Sequence, residues 1–455
     1  MGSRLVRIGP SSANQWRPIP PAGVDIEVTV AICRAETFME ALATWVRSRS
    51  GYVDPTLCIQ DHQPSDLAKR YRGVFAGPDG LPANHTFLRM PYSGLVSADT
   101  SRINLRFDEW NCRYGLTSWD SLILALIYED TNRPSPWDAY LDFLPNQLET
   151  PLFWTDDERG MLKDTAVEVA LGLDSIEAGF RDRLLPVMKN NRNLFRCSDS
   201  ELHRLYHRFG ALVMAYSFTL GGPSSDQSDC ETDDEEQSAS IAMVPIADAL
   251  NHISFATNAM LVHDDADGCV SMQTLRAIAP NEELINTYGE LGNDVLLVRY
   301  GFIDNTDNPY TNTLVRYSDF TSTVGQKAFQ RMTALGHKQY DLANEYFFLR
   351  SPTDDEELLE QIPDCLKTLL ICAIATDNEL SRIMASSDEI NLQPYSEKML
   401  KLLFEAFTKL PEHNTDISKL NDYPQGSRLY NIYRVKLEAA SIMAAWRKAL
   451  AHHTQ

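Results

Sequence analysis

Met243-Val-Pro-Ile-Ala-Asp-Ala-Leu-Asn-His252, Glu283-Leu-Ile-Asn-Thr-Tyr-Gly289 and Leu297-Val-Arg-Tyr-Gly-Phe302 hold most of the chemistry this chain can offer. Asn251 and His252 close an apolar, strand-like run, where the ordinary roles are a turn asparagine and a hydrogen-bonded histidine. Asp248 suits either the orientation of that loop or a local backbone hydrogen bond. Tyr288 follows a strand-like segment, a place where a lone tyrosine is usually core or rim. Tyr300 and Phe302 flank Gly301, which can end a short helix and turn both aromatics toward one cavity.

Outward from these fragments the hydrophobic period changes several times. Segments 258–263 and 269–275 alternate as two strands joined by an Asp/Gly turn, and 72–76 and 86–90 read as strands as well. Phe38, Met39, Leu42, Trp45 and Val46 recur at helical spacing over 35–49. Residues 108–209 are mainly helical, with 118–129, 138–144 and 156–171 as the clearest elements. Ser198 and Glu201 form a capping-box pattern. The stripe Leu202, Leu205, Tyr206, Phe209, Leu212, Val213 and Tyr216 then runs toward Gly221-Gly222-Pro223, where a helix is expected to stop. Segment 226–237, rich in Asp, Glu and Ser, is expected to be an exposed loop. Helical pattern resumes from about 319, at 354–361, 364–376, 395–410 and 428–452, and residues 1–30 read as a loose arm.

Composition narrows the function classes. The chain has 455 residues, 44% of them hydrophobic, enough for two or three domains with cores of their own. No run is long enough for a membrane span and no export signal is expected, so the protein should be soluble. Its 8 cysteines are scattered without a C-x-x-C pair, which suits a reducing cytoplasm or nucleus. A formal charge of −22 favours basic partners and disfavours direct nucleic-acid binding.

The three fragments together resemble the catalytic half of SET-domain lysine methyltransferases, especially the branch with plant Rubisco large-subunit methyltransferase and the fungal ribosomal-protein lysine methyltransferases. Arg72-Gly-Val-Phe-Ala76 is similar to the N-terminal SET strand, and Val213-Met-Ala-Tyr-Ser-Phe218 to the helix entering the C-terminal SET half. The resemblance implies an α+β fold: a split, β-rich SET domain with a helical insert, then an all-α substrate-binding domain. Its parts would be an arm at 1–30, SET segments at 31–107 and 210–315, the insert at 108–209, an acidic loop at 224–238 and the helical domain at 316–455.

It also implies S-adenosyl-L-methionine as methyl donor, S-adenosyl-L-homocysteine as product, and no metal. Donor contacts would come from Arg70, Arg72, Tyr216, Asp248, Asn251, His252, Tyr288 and Phe302. Asn251 would reach the amino-acid end and the His252 backbone the adenine. Tyr71 stands in the donor loop where relatives often have glycine. Tyr288 would be the catalytic tyrosine, with Tyr216, Tyr288 and Tyr300 lining the substrate channel. Without the resemblance, Tyr216 reads as core on its helix stripe.

Three functions are weighed: protein-lysine methylation, protein-histidine methylation, and a non-catalytic peptide-binding module. Tyr288 argues against the last, and Tyr300 favours lysine over histidine. The expected substrate is a basic protein, with a ribosomal protein first, acted on by a monomer in the nucleus, the cytoplasm or both. His203 and His207 lie four apart on a helix and could bind metal, yet the sequence suggests no third ligand. Asn251-His252-Ile253-Ser254 lacks the cysteine with which zinc-bearing SET relatives continue. No G-x-G-x-x-G run is present, which argues against a doubly wound methyltransferase.

Overall fold

The computed structural model describes residues 5–6, 17–18, 39–62, 71–220, 240–264, 266–304, 308–334, 346–353, 357–385, 393–410 and 417–454. Arg70, most of the 1–30 segment and the acidic 224–238 segment lie outside the described residues. Two four-stranded sheets form the β part. One runs Ala259–Asp264, Cys269–Thr274, Thr86–Pro91, Tyr52–Val53, with every pair antiparallel. The other runs Cys58–His62, Tyr71–Phe75, Glu283–Asn286, Asn251–His252, and its last pair is parallel. Each sheet therefore joins two strands from before the helical stretch to two from after it, and register such as Met272 opposite Leu88 binds the two halves. Buried Phe87, Leu88 and Met90 on one side and Val270 and Met272 on the other bind them by apolar burial, at about 1.5–3 kcal/mol per large side chain.

Helices fill the chain between the halves, and their ends follow local capping chemistry. Thr117 with Asp120 and Thr155 with Glu158 form capping boxes at the starts of Ser118–Thr131 and Asp156–Gly160. Helix Asp199–Tyr216 buries Leu202, Leu205, Tyr206, Phe209, Leu212 and Val213, the stripe expected from spacing. Only half of its expected box forms: Ser198 accepts from the Glu201 N–H, while the Glu201 carboxylate turns to Arg204.

Four element boundaries differ from the sequence expectation. The 156–171 helix is two, Asp156–Gly160 and Ala166–Leu171, because Asp164 takes φ +61° and Thr165 caps a new start. Asp138–Leu141 ends a turn early. Helix Asp199–Tyr216 stops before the glycines, since Ser217 extends and Ser217–Leu220 pairs as a strand with Ser240–Met243. The described part of 354–361 is a turn, closed by the Gln361 amide bonding the Thr353 backbone N–H and carbonyl at 2.7 and 2.9 Å.

The C-terminal part is mainly helical, with Asp364–Ile374, Ser396–Lys409 and Arg428–Thr454 around a core of its own that includes Phe320, Leu369, Phe407 and Trp446. It also holds a strand pair, Thr313–Arg316 with Tyr346–Leu349, that the helical pattern did not show. A smaller apolar cluster joins Trp154 and Leu171 of the insert, Leu297 and Ile303 in and just after the Leu297–Phe302 fragment, and Ile432 and Val435 of the last helix. Among the described residues no helix is long and apolar enough to cross a membrane.

Candidate active site

Parallel pairing of Asn251–His252 with Glu283–Asn286 brings the first two sequence fragments side by side, with Ile285 opposite Asn251 and Asn286 opposite His252. Asn258 holds this pairing in place. Its amide donates to the Glu283 carbonyl at 2.8 Å and its oxygen accepts from Ile285 N–H at 2.7 Å, with the residue 2% exposed. The Asn251 amide donates to the Arg72 carbonyl at 2.8 Å and to the Glu283 carboxylate at 2.7 Å. Gly73 lets the carboxylate sit here, since a Cβ would stand 2.3 Å from it and push it aside. The corner thus collects an amide, a carboxylate and a backbone carbonyl from three chain segments.

Beside it lies an aromatic cluster. Tyr288 stacks on Tyr300 with centroids 4.4 Å apart and on His252 at 5.1 Å; Phe302 lies 6.2 Å from Tyr300 and 6.4 Å from His252. Gly301 makes this possible. It takes φ +80° to end helix Asn293–Tyr300, and a Cβ there would meet the Glu149 backbone at 2.7 Å. The Tyr288 hydroxyl donates to the Leu250 carbonyl at 2.8 Å. Burial, then its tyrosine neighbours Tyr216 and Tyr300, hold its pKa well above the ordinary phenol value. It keeps its proton at neutral pH.

His252 is neutral by its hydrogen bonds. Tyr288 N–H donates to its Nδ1 at 3.1 Å, which assigns the ring proton to Nε2, 3.2 Å from the Ser254 hydroxyl. Burial pushes its pKa down, opposed by Asp304. Asp304 accepts from Ser254 N–H at 3.0 Å and is bound through its backbone to Asn293, whose amide also donates to Glu438 of the last helix at 2.9 Å. The site is therefore wired to the C-terminal helix through polar contacts.

A buried pair closes the inner end. Tyr140, from the insert, donates to Asp248 at 2.5 Å, and both are buried. The other Asp248 oxygen makes no hydrogen bond of good geometry. Burial pushes the Asp248 pKa up to about 7, against the pull of Tyr140, of nearby backbone N–H groups and of Arg72. Burial and the adjacent Asp248 raise Tyr216 to about 12. Ile246, just before Asp248, sits at φ +78°, a costly conformation for a β-branched residue and one that cores seldom hold.

The structure gathers most of the residues singled out from the sequence: Asn251, His252, Tyr288, Tyr300 and Phe302 by direct contact, with Tyr216 and Asp248 electrostatically coupled to Tyr288. Arg72 supplies its carbonyl to Asn251, and its guanidinium lies over the Phe143 ring at 4.6 Å and donates to the Phe143 carbonyl. Tyr140, Asn258, Glu283, Asn293 and Asp304 were missed. Asn258 and Glu283 open segments already singled out in the sequence, but nothing local to either assigns it a role. The structure also supplies a third group beside His203 and His207, the Glu177 carboxylate.

The donor set suits a zwitterionic amino-acid end. Among the described residues the Asn251 oxygen accepts no hydrogen bond, and with the Glu283 carboxylate it offers acceptors for an ammonium group beside a half-buried aromatic cluster. No family model matches the chain. In sequence it is 33% identical over 264 residues to the N-lysine methyltransferase setd6 of Danio rerio, covering 56% of this chain and 55% of that protein. To SETD6 of Mus musculus it is 36% identical over 259 residues, 55% and 52% of the two chains. For SETD6 of Homo sapiens the values are 33%, 260 residues, 54% and 53%. The matches thus span about half the length of these relatives. In structure the chain is similar to the SET domain of LSMT bound to lysine and AdoHcy, with a TM-score of 0.60, 17% identity, and 93% and 92% of the two chains covered. Rubisco LSMT bound to sinefungin and monomethyllysine gives 0.61, 16%, 92% and 91%. The chain thus has an α+β fold similar to that of the SET domain of LSMT, and over about half its length its sequence is similar to SETD6 N-lysine methyltransferases.

Proposed function

We propose that the chain is a protein-lysine N-methyltransferase that uses S-adenosyl-L-methionine. The observation that carries this reading is the Tyr288 hydroxyl, held by the Leu250 carbonyl inside the Tyr216, Tyr300, Phe302 and His252 aromatic group and next to the Asn251 corner. The bound donor supplies an electrophilic sulfonium methyl. Asn251 and Glu283 would hold its amino-acid end, and the His252 backbone would meet its adenine.

Tyr288 orients and does not deprotonate. Its proton goes to Leu250, leaving oxygen lone pairs to face the methyl, and its raised pKa keeps it from competing as a nucleophile. The Tyr288 and Tyr300 rings lie against each other, and their outer faces and edges offer aromatic surface to a cationic or methylated amine. A lysine with pKa about 10.4 costs about 4.6 kcal/mol to deprotonate at pH 7, taking about 1.36 kcal/mol per unit. Enclosure by these rings beside a sulfonium lowers that cost, and the proton leaves through water before transfer.

The −22 charge and the exposed Ile253 and Phe255 on the loop after His252 support a basic protein substrate with an apolar contact. Within this proposal the chain is a monomer of the nucleus or cytoplasm, residues 316–455 are the substrate-binding domain, and a ribosomal protein is the first substrate to try. The relatives' names specify lysine and no substrate protein, which favours an aliphatic amine over an imidazole as the acceptor. Incubation with isotopically labelled donor and a basic-protein extract, followed by mass spectrometry, tests the proposal. Label on lysine is expected. Label on histidine, or donor binding without transfer to any protein, overturns it.

A further inference from the structure

We propose that Glu177, His203 and His207 form a binding site for one divalent transition-metal ion of the zinc class, clipping two segments of the helical insert together. The site lies apart from the transfer chemistry, which needs no metal. His203 and His207 are one turn apart on helix Asp199–Tyr216, so their rings share a face, with centroids 4.3 Å apart. Glu177 comes from the facing helix Leu173–Gly179. One carboxylate oxygen meets His203 Nε2 and the other meets His207 Nε2, each at 2.9 Å. All three ligand atoms lie within 4.8 Å of one another.

That convergence is what a metal needs. Metal–nitrogen and metal–oxygen bonds of about 2.0–2.2 Å in tetrahedral geometry set ligand atoms roughly 3.4 Å apart. Small side-chain rotations close the remaining gap, and the ion replaces the protons the rings now share with the carboxylate. The frame is already fixed. Tyr206 donates to the Ile176 carbonyl at 3.0 Å, locking the backbone beside Glu177 to the histidine helix. Buried Phe180 sets an edge against the His203 ring at 4.9 Å. A widened π turn at Phe180–Leu184 follows directly after the Glu177 helix, a backbone feature frequent at functional positions.

Ligand chemistry narrows the ion. Two imidazoles and one carboxylate select zinc, cobalt, nickel or copper over magnesium and calcium. Side-chain exposures of 38% for His203, 20% for His207 and 45% for Glu177 leave room for water as a fourth ligand. Arg159, the cation that acts on His207, is held by Asp156 and by the Leu152 and Trp154 carbonyls. His207 lies nine residues before Tyr216, about 14 Å along the helix at 1.5 Å per residue, so occupancy stiffens the insert and does not enter the aromatic cluster.

The test uses the full, tag-free chain after chelation. Titration with zinc chloride by calorimetry and cobalt chloride by visible absorption, beside melting temperature, is expected to show one site per chain and a rise of about 5 °C at saturating zinc. Magnesium chloride should leave the melting temperature unchanged. His203→Ala with His207→Ala should remove the shift and weaken zinc at least about 100-fold, whereas Glu177→Gln, the gentler change, should weaken it about 10-fold or more. Unchanged zinc affinity in either variant overturns the proposal, as does a wild-type chain that zinc does not stabilise. None of these readouts depends on methyl transfer.

Discussion

Two buried carboxylates, Glu129 in the insert and Asp248 at the site, show opposite solutions to one problem. Glu129 has a side chain with no exposure and accepts from Ser101 Oγ, Arg102 N–H, Arg102 Nε and Ser135 Oγ at 2.7–2.9 Å. Asp248 accepts one good hydrogen bond, from Tyr140, and leaves an oxygen without a partner. Four donors satisfy the Glu129 oxygens, whereas burial with a single side-chain donor pushes Asp248 toward its neutral form. The insert uses its carboxylate to tie three segments together. The site keeps its carboxylate under tension beside Tyr216 and Tyr288, with Ile246 strained to hold the turn.

Glu129→Ala should break the first half of the comparison most severely. Leaving four donors unmatched is expected to cost about 3–5 kcal/mol of stability, read by denaturant unfolding, with turnover per folded molecule near normal. A loss under 1 kcal/mol would make Glu129 a bystander. Tyr288→Phe breaks the second half. Turnover should fall about 100- to 1000-fold while donor affinity and melting temperature change little, because the hydroxyl matters only when methyl lies between sulfur and nitrogen. Wild-type turnover would remove Tyr288 from the mechanism.

Asp248→Asn sharpens the comparison through pH. The folded pKa of about 7 lies above the ordinary carboxylate value, so the fold favours the protonated form. The resulting stability is fully present below about pH 4 and is lost as pH rises through about 7. The Asn variant should therefore be about 1–2 kcal/mol more stable than wild type at pH 8 and no more stable at pH 4, as melting at both values will show. An identical pH profile in the two proteins would mean that folding leaves the Asp248 pKa unchanged. At the far end of the scale, Arg204→Ala removes a partner from Glu201 on the surface. That should change stability by less than about 1 kcal/mol, and added salt should erase the difference.

The same contrast explains what could be foreseen. The stripe from Leu202 to Val213 and the hairpin Ala259–Asp264 with Cys269–Thr274 follow from period alone, because neighbours on one helix face or strand face are fixed by spacing. Asn251, His252, Tyr288 and Tyr300 were visible as motifs on local segments. The early end of helix Asp199–Tyr216 was not, since Ser217–Leu220 extends only because Ser240–Met243 is there to pair with it. Nor was Asn258, which acts on Glu283 and Ile285 more than twenty residues later.

By itself the sequence determined the α+β composition, the interruption of the strands by helices, and the residue types proposed to meet a methyl donor. Tertiary structure alone decided which distant groups share a charge or a proton. Tyr140 reaches Asp248 across a separation of 108 residues, and Glu177 reaches His203 across 26. The physical reason is range: propensity and periodicity act within a few residues along the chain, while hydrogen bonds and burial act over a few ångströms in space, between partners that only the packed core brings together.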